Sequence, residues 1–304
     1  MAKKSKRGSG PRPGSDRAER IAARRARAEE TSALLVATRP FAGLACECDL
    51  VALRAFVASA TAPAPLRSAG NNQVELGTIL AGAVPALTRD IDSQTVGFAG
   101  LQTDPEPDDI ADSLASALIW ASDAPVGEIY EPVSEAGSLT DILDPDAQLD
   151  ITVHEDFGWW FDDNSPMPAE LAQVMEQADS AIMPSARVDV NGRGAPWWVD
   201  AGERAHLRWV RPEDEDAVMN GLARVHAQGQ LTLGEGSRFA GSFRTHGLLV
   251  PVFDLDVEMH AEEWVGPCTE FDKVLTEAIA QTAELTAAER RSRDGIRSRQ
   301  VTLR

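Results

Sequence analysis

Lysine is almost missing from this 304-residue chain: Lys3, Lys4 and Lys6 sit at the extreme N-terminus and Lys273 stands alone beyond them. A phosphate-binding GxxxxGK[ST] loop needs a lysine after its glycine, and none is so placed, which excludes nucleotide hydrolysis of that kind. The GxSxG and SxxK arrangements of common serine hydrolases are missing too. Cysteine is scarce, with only Cys46, Cys48 and Cys268. An odd, small number of thiols in a long chain forms no disulfide framework and fits a reducing cytosol. Two thiols one residue apart with a single further cysteine fall short of a four-ligand zinc site, so no metal and no cofactor is expected. Long apolar runs are also missing. The longest uncharged apolar stretch, "LGTILAGAVPALT" from Leu76 to Thr88, is too short to span a bilayer. Only "SALLVA" follows the basic leader where a signal peptide would carry its hydrophobic segment. A soluble, cytoplasmic protein without membrane insertion is expected.

Positive charge is missing from one long region. Residues 90–186 hold 22 Asp/Glu and no Lys or Arg, where an even spread of the chain's cations would put roughly nine. The cations lie at the ends. Residues 1–28 carry ten Lys/Arg against Asp16 and Glu19, and residues 290–304 carry six Arg against Asp294. With a net charge of -19 overall, positively charged termini flank a strongly anionic body.

Hydrophobic residues make up 43% of the chain, ample for a buried core. Residues 1–40 read as a basic arm. Its Lys/Arg/Gly/Ser/Pro start cannot repay ordering entropy, and a helical continuation puts Arg17, Arg20, Arg24 and Arg27 on one face. Residues 41–147 form a first α+β half, starting with a helix over "CDLVALRAFVASA" capped by Asp49. Strands follow at "VELGTILAG", "TVGFAGLQ" and "EIYEPV", with a helix at "DDIADSLASALIWAS". The stretch "SEAGSLTDILDPDAQLD" reads as a link. Residues 148–289 form a second α+β half: strands at "DITV", "APWWV", "AHLRWV", "SRFAGSF" and "GLLVPVF", and helices at "MPAELAQVMEQADSAI" and "DEDAVMNGLARVHAQG". A long closing helix from Cys268 onward is stopped by Gly295, and residues 290–304 are a basic tail. Pro251 argues for a sheet edge. The predicted fold class is α+β, a mixed or antiparallel sheet with packed helices and flexible basic termini. Two segments echo each other, a strand running into Pro105-Glu106-Pro107-Asp108-Asp109 and another into Pro212-Glu213-Asp214-Glu215-Asp216, each continuing as an amphipathic helix. Duplicated halves are one reading; ordinary helix-start chemistry is the other.

Three clusters carry candidate chemistry. "HEDFGWWFDD" combines His154 with Glu155 and Asp156, residue types suited to acid–base work, beside two tryptophans that could floor a pocket. The second histidine of a zincin helix is missing there, and the competing reading is a strand end with packed tryptophans. The pairs Asp90/Asp92 and Asp254/Asp256 could hold a divalent ion, but alternating strand positions in an acidic chain explain them as well. The termini have the clearest reading. Lys3, Lys4, Lys6, Arg7, Arg17, Arg20, Arg24, Arg27, Arg290, Arg291 and Arg293 are candidate contacts to a phosphate backbone, each releasing counterions on binding. RNA, the ribosome or another polyanion is the expected partner, and docking of these ends on the anionic body is the alternative.

Across "RPFAGLACECDLVALRAFVASATAPAPL" and the body that follows, the chain resembles an uncharacterised family of actinobacterial proteins carrying a domain of unknown function. Members are labelled preprotein translocase SecA-like or topoisomerase II. A translocase motor needs the missing phosphate loop, and a topoisomerase needs a catalytic tyrosine, usually next to Arg, whereas the sole Tyr130 follows Ile129. The resemblance implies a shared fold and supplies no catalytic residue. The expectation is therefore a binding or accessory protein, not a recognisable enzyme. An enzyme built around residues 154–163 and an acidic-surface adaptor linked to secretion are the alternatives.

Overall fold

A computed structural model describes residues 39–161 and 169–302, which belong to one compact unit. The first element is helix α1, Glu47–Ala55, apolar through Leu50, Val51 and Leu53, all fully buried. Asp49 does not cap it. The N-cap is Cys46, without a side-chain bond, and Asp49 instead receives the Arg187 fork at 2.8 and 3.1 Å. Its neighbour Glu47 pairs with Arg39. Acids in a first turn suit the helix dipole; here arginines from outside the helix have claimed both.

Strands β1 (Ala60–Pro63), β2 (Gln73–Ile79), β3 (Ala86–Ile91), β4 (Gln94–Gln102) and the short β5 (Thr152–Val153) form one sheet in the order β3-β4-β2-β1-β5. β2 and β4 run parallel and the other pairs antiparallel. Helix α2, Ile110–Asp123, covers this sheet, its Leu114 and Leu118 buried. It approaches so closely that a Cβ on Gly97 of β4 would lie 2.1 Å from the Ala121 carbonyl oxygen. "EIYEPV" is not a strand. It lies along α2, where Ser116 Oγ bonds the Tyr130 hydroxyl at 2.8 Å and accepts from Val133 N at 2.7 Å. The Val133 N–H that a sheet would have used is thus spent on a helix side chain. The one-turn α3, Leu139–Ile142, buries Leu139, and Leu143 just after it is fully buried, so the largely exposed stretch 134–150 is anchored to the core by Ala136, Leu139 and Leu143.

After α4 (Ala169–Asp179), strands β6 (Ser185–Arg187), β7 (Ala195–Asp200), β8 (Ala205–Val210), β9 (Ser237–Thr245) and β10 (Leu248–Leu255) build the second sheet. Helix α5 (Glu215–Ala227) joins β8 to β9, and β11 (Gln300–Thr302) adds at the far side, giving the order β11-β9-β10-β8-β7-β6. Only β11 pairs in parallel, with β9. Pro251 is not at an edge. β10 lies between β9 and β8, and Pro251 opposes Ser242 of β9 while the β8 ladder starts one residue later at Val252. A proline is tolerated inside the sheet because one of its two ladders is interrupted there.

The closing helix is two helices, α6 (Val265–Ala280) and α7 (Ala287–Arg297). The break is stabilised from both sides. Thr286 and Glu289 form a reciprocal capping box, and the buried Arg224 of α5 donates to the carbonyls of Ala278 and Ala283 at 3.0 and 2.7 Å. Gly295 lies within α7 and stops nothing. Residues 290–297 thus belong to a helix packed on α5, with Arg297 bonded to Asp216 at 2.6 Å and Ser292 to His226 at 2.9 Å.

The architecture is α+β with two sheets. One core unites α1, α2 and the first sheet with Trp197, Val210, Phe243 and Val250 of the second; another packs the opposite face of the second sheet against α5 and α6. Adjacent Trp197 and Trp198 point into different cores, as strand alternation requires. Phe239 and Phe243 are an even number apart yet also face different cores, because the β9–β10 register shifts between Val252 and Phe253 and turns the strand over. The two echoing segments share their helix starts. Asp109 caps α2 through Asp112 N, and Asp214 caps α5 through Asp216 N and Ala217 N. The strands before them are wired differently, β4 parallel to β2 but β8 antiparallel to both its neighbours.

Candidate functional site

The C-terminal turn of α1, the segment after β4 and the β9–β10 turn meet around a cleft of about 230 Å³. Arg54, in the last turn of α1, enters it with a side chain only 7% exposed. It donates to the Leu101 carbonyl and, at 2.9 Å, to Glu106 Oε1. Glu106 is 63% exposed, so a buried cation is balanced by a carboxylate standing mostly in solvent. Gln102 lines the same cleft and uses its amide to cap the end of α1, donating to Leu53 O at 2.8 Å.

His246 forms the far wall, in the left-handed region at φ 46 where β9 turns into β10. Its ring sits edge-on to the buried Phe41 at 6.3 Å and makes no hydrogen bond among the described residues. Burial, and secondarily the Arg54 charge, push its pKa down to about 4 against a smaller opposing effect of Glu106. The imidazole is therefore neutral near pH 7 and open to the cleft, with one donor and one acceptor nitrogen. The arrangement offers a fixed cation and a neutral hydrogen-bonding ring, means of holding a polar ligand.

His154 has a different setting. It shares a 2.9 Å hydrogen bond with Thr61 Oγ1 and stacks on Trp159 at 5.7 Å. Burial lowers its pKa, partly offset by Asp156. Glu155 and Asp156 are exposed, and Asp156 Oδ1 is engaged by Gly158 N at 2.8 Å. Trp159 and Trp160 spend their indole N–H groups on Ser59 Oγ and the Ile79 carbonyl, both at 2.8 Å, which fixes them against the first sheet. Asp162 and Asp163 of this cluster lie outside the described residues.

Among the terminal cations, Lys3, Lys4, Lys6, Arg7, Arg17, Arg20, Arg24 and Arg27 lie outside the described residues. Arg290 and Arg291 are exposed on α7, Arg290 donating to the Leu285 carbonyl. Arg293 turns toward α5, where Nη1 reaches Asn220 Oδ1 at 3.5 Å. Asp254 is the hub of a surface ion cluster with Arg238 at 2.6 Å, Arg204 at 3.0 Å and His206 at 3.2 Å. Burial would raise its pKa, but the Arg238 hydrogen bond and the neighbouring His206, Arg238 and Arg204 side chains hold it below the usual carboxylate range. Asp90 accepts from Thr95 across the β3–β4 hairpin. Cys46, Cys48 and Cys268 are buried free thiols whose pKa values burial pushes up to about 11, 12 and 12. No group of metal-binding side chains occurs among the described residues, and no helix there is long and apolar enough to cross a membrane.

The cleft's members come from positions 54, 106 and 246, and no local motif joins them. A usable signal was His246-Gly247 between two strands, a turn pair that commits the histidine to a hairpin tip. Comparison with curated proteins and with solved structures returns no match. A family model described as "Family of unknown function (DUF5926)" matches residues 40–304, essentially all of the chain beyond the cationic arm. The chain belongs to this family.

Proposed function

We propose that this is a cytoplasmic binding or accessory protein that engages RNA through its cationic N-terminal arm, with the exposed face of α7 as an auxiliary contact. The observation that carries the reading is the division of charge: ten Lys/Arg within residues 1–28, ahead of a body whose residues 90–186 contain no cation. An anionic body repels a phosphate backbone, so affinity has to come from the ends, and each neutralised phosphate adds a counterion-release contribution. Exposed Arg290 and Arg291 suit the auxiliary role. Arg297 and Arg293 are turned to α5 and contribute less.

The test is retention on single-stranded RNA across a salt series, comparing the full chain, a chain lacking residues 1–28, and Arg290→Glu/Arg291→Glu. The expected result is binding by the full chain that weakens log-linearly with salt, with most of the slope lost on removing the arm and a smaller part lost in the double variant. Equal retention by all three sinks the proposal. Retention of a basic protein in place of RNA would move it to the acidic-surface adaptor reading.

A further inference from the structure

Arg54 is an unusual cation. Its side chain is almost wholly withdrawn from water, yet its only carboxylate partner among the described residues, Glu106, is largely exposed and comes from a segment after β4 with no regular structure. A guanidinium offers five N–H donors in a planar fork, and Arg54 spends one on the Leu101 carbonyl and one on a single Glu106 oxygen. The fork is therefore incompletely used. His246 lines the same cleft, makes no hydrogen bond among the described residues and is able to donate while uncharged. A cleft of about 230 Å³ has room for roughly seven or eight water volumes, the size of a short-chain acid.

We propose that this cleft binds a small carboxylate, whose oxygens take the full Arg54 fork and a hydrogen bond from His246, displacing Glu106. Glu106 occupies in the free protein the place of the ligand's own carboxylate, as an internal competitor. A carboxylate is favoured because a planar two-oxygen group matches the guanidinium edge-on, and because the group already there is one. The carboxylate can belong to a free acid or to the C-terminal end of a peptide. This site is independent of the cationic ends and of the RNA reading.

The experiment titrates succinate, and separately a pentapeptide with a free C-terminal carboxylate, into the full-length protein, following the His246 ring resonances by NMR and binding by calorimetry. Succinamide and the amidated peptide serve as neutral controls. Saturable shifts of His246 with the acids and none with the controls are expected. Glu106→Gln removes the competitor and should tighten binding about five-fold, the amount an exposed ion pair typically withholds. Arg54→Lys keeps a charge but loses the fork and should abolish it. Should Arg54→Lys fail to fold, His246→Phe, which retains the ring volume without the donor, should weaken binding severalfold. Succinate binding alone assigns the site to a free acid, and peptide binding alone to a chain end. No saturable shift with either acid in Glu106→Gln, or equal binding of the neutral controls, overturns the proposal.

Discussion

Arg211 offers the sharpest test of how this fold is held together. It sits at the end of β8 with no solvent exposure, between Glu213, which receives its fork at 2.7 and 3.0 Å, and Asp272 of α6, with the Arg193 carbonyl at 3.0 Å. Its guanidinium also lies over the Trp209 ring at 5.3 Å. Burial alone would lower the Arg211 pKa, but Glu213 and Asp272 together hold it above its ordinary value. Replacing Arg211 with Met keeps much of the volume and leaves Asp272, whose side chain is 10% exposed, as a buried carboxylate without its cation. Breaking a buried pair in this way costs about 3–5 kcal/mol. In a unit of this size that is a fall in Tm of roughly 6–10 °C. The assay is urea denaturation followed by tryptophan fluorescence, beside a thermal melt. The double variant Arg211→Met/Asp272→Asn removes one of the two stranded carboxylates, Glu213 at 12% exposure being the other, and should recover part of the loss, so that the two changes are not additive. A loss below about 1 kcal/mol in the single variant, or strict additivity in the double, would refute the reasoning.

Other consequences are as direct. His246 has a folded pKa of about 4 against an ordinary value of 6.5, so below pH 6.5 the unfolded chain binds a proton that the folded one refuses. Stability should fall as pH drops from about 6.5 toward 4, by roughly 3 kcal/mol from this group. His154, shifted the same way, adds to it, and His246→Asn should flatten the denaturation-midpoint profile over that window. Gly97→Ala would drive a methyl into the Ala121 carbonyl at 2.1 Å and should cost at least about 2 kcal/mol by chemical denaturation, as overpacking at a rigid backbone does. The thiols, with pKa values near 11 and 12, should stay unreactive to Ellman's reagent at pH 8 in the native protein, and all three should react in 6 M guanidinium.

Where the polypeptide advertises its structure locally, it could be read. The alternation around Trp197 and Trp198 marks a strand, and the Asp214-led acidic start marks α5, because period and cap are short-range properties. Most of the failures are long-range. Asp49 looks like a cap until Arg187, 138 residues away, claims it. Tyr130 looks like part of a strand until Ser116 offers its hydroxyl. The break between α6 and α7 did have a local signature in Thr286-x-x-Glu289, hidden among good helix formers. The cleft had only the His246-Gly247 turn pair, since Arg54 and Glu106 are 52 residues apart and meet a histidine carried in by the second sheet. The acidic region was plain to see; its purpose was not, because a charge run says nothing of what stands opposite.

Helix α1 lends its Leu50, Val51 and Leu53 to the same core that receives Trp197, Phe243 and Val250 from the far sheet. The second sheet therefore has a finished interior on one face only, and the first sheet completes its own with residues of the second. Expressed apart, each piece would present a bare greasy face and precipitate, and the intact protein should melt as one event, its early and late segments losing structure together.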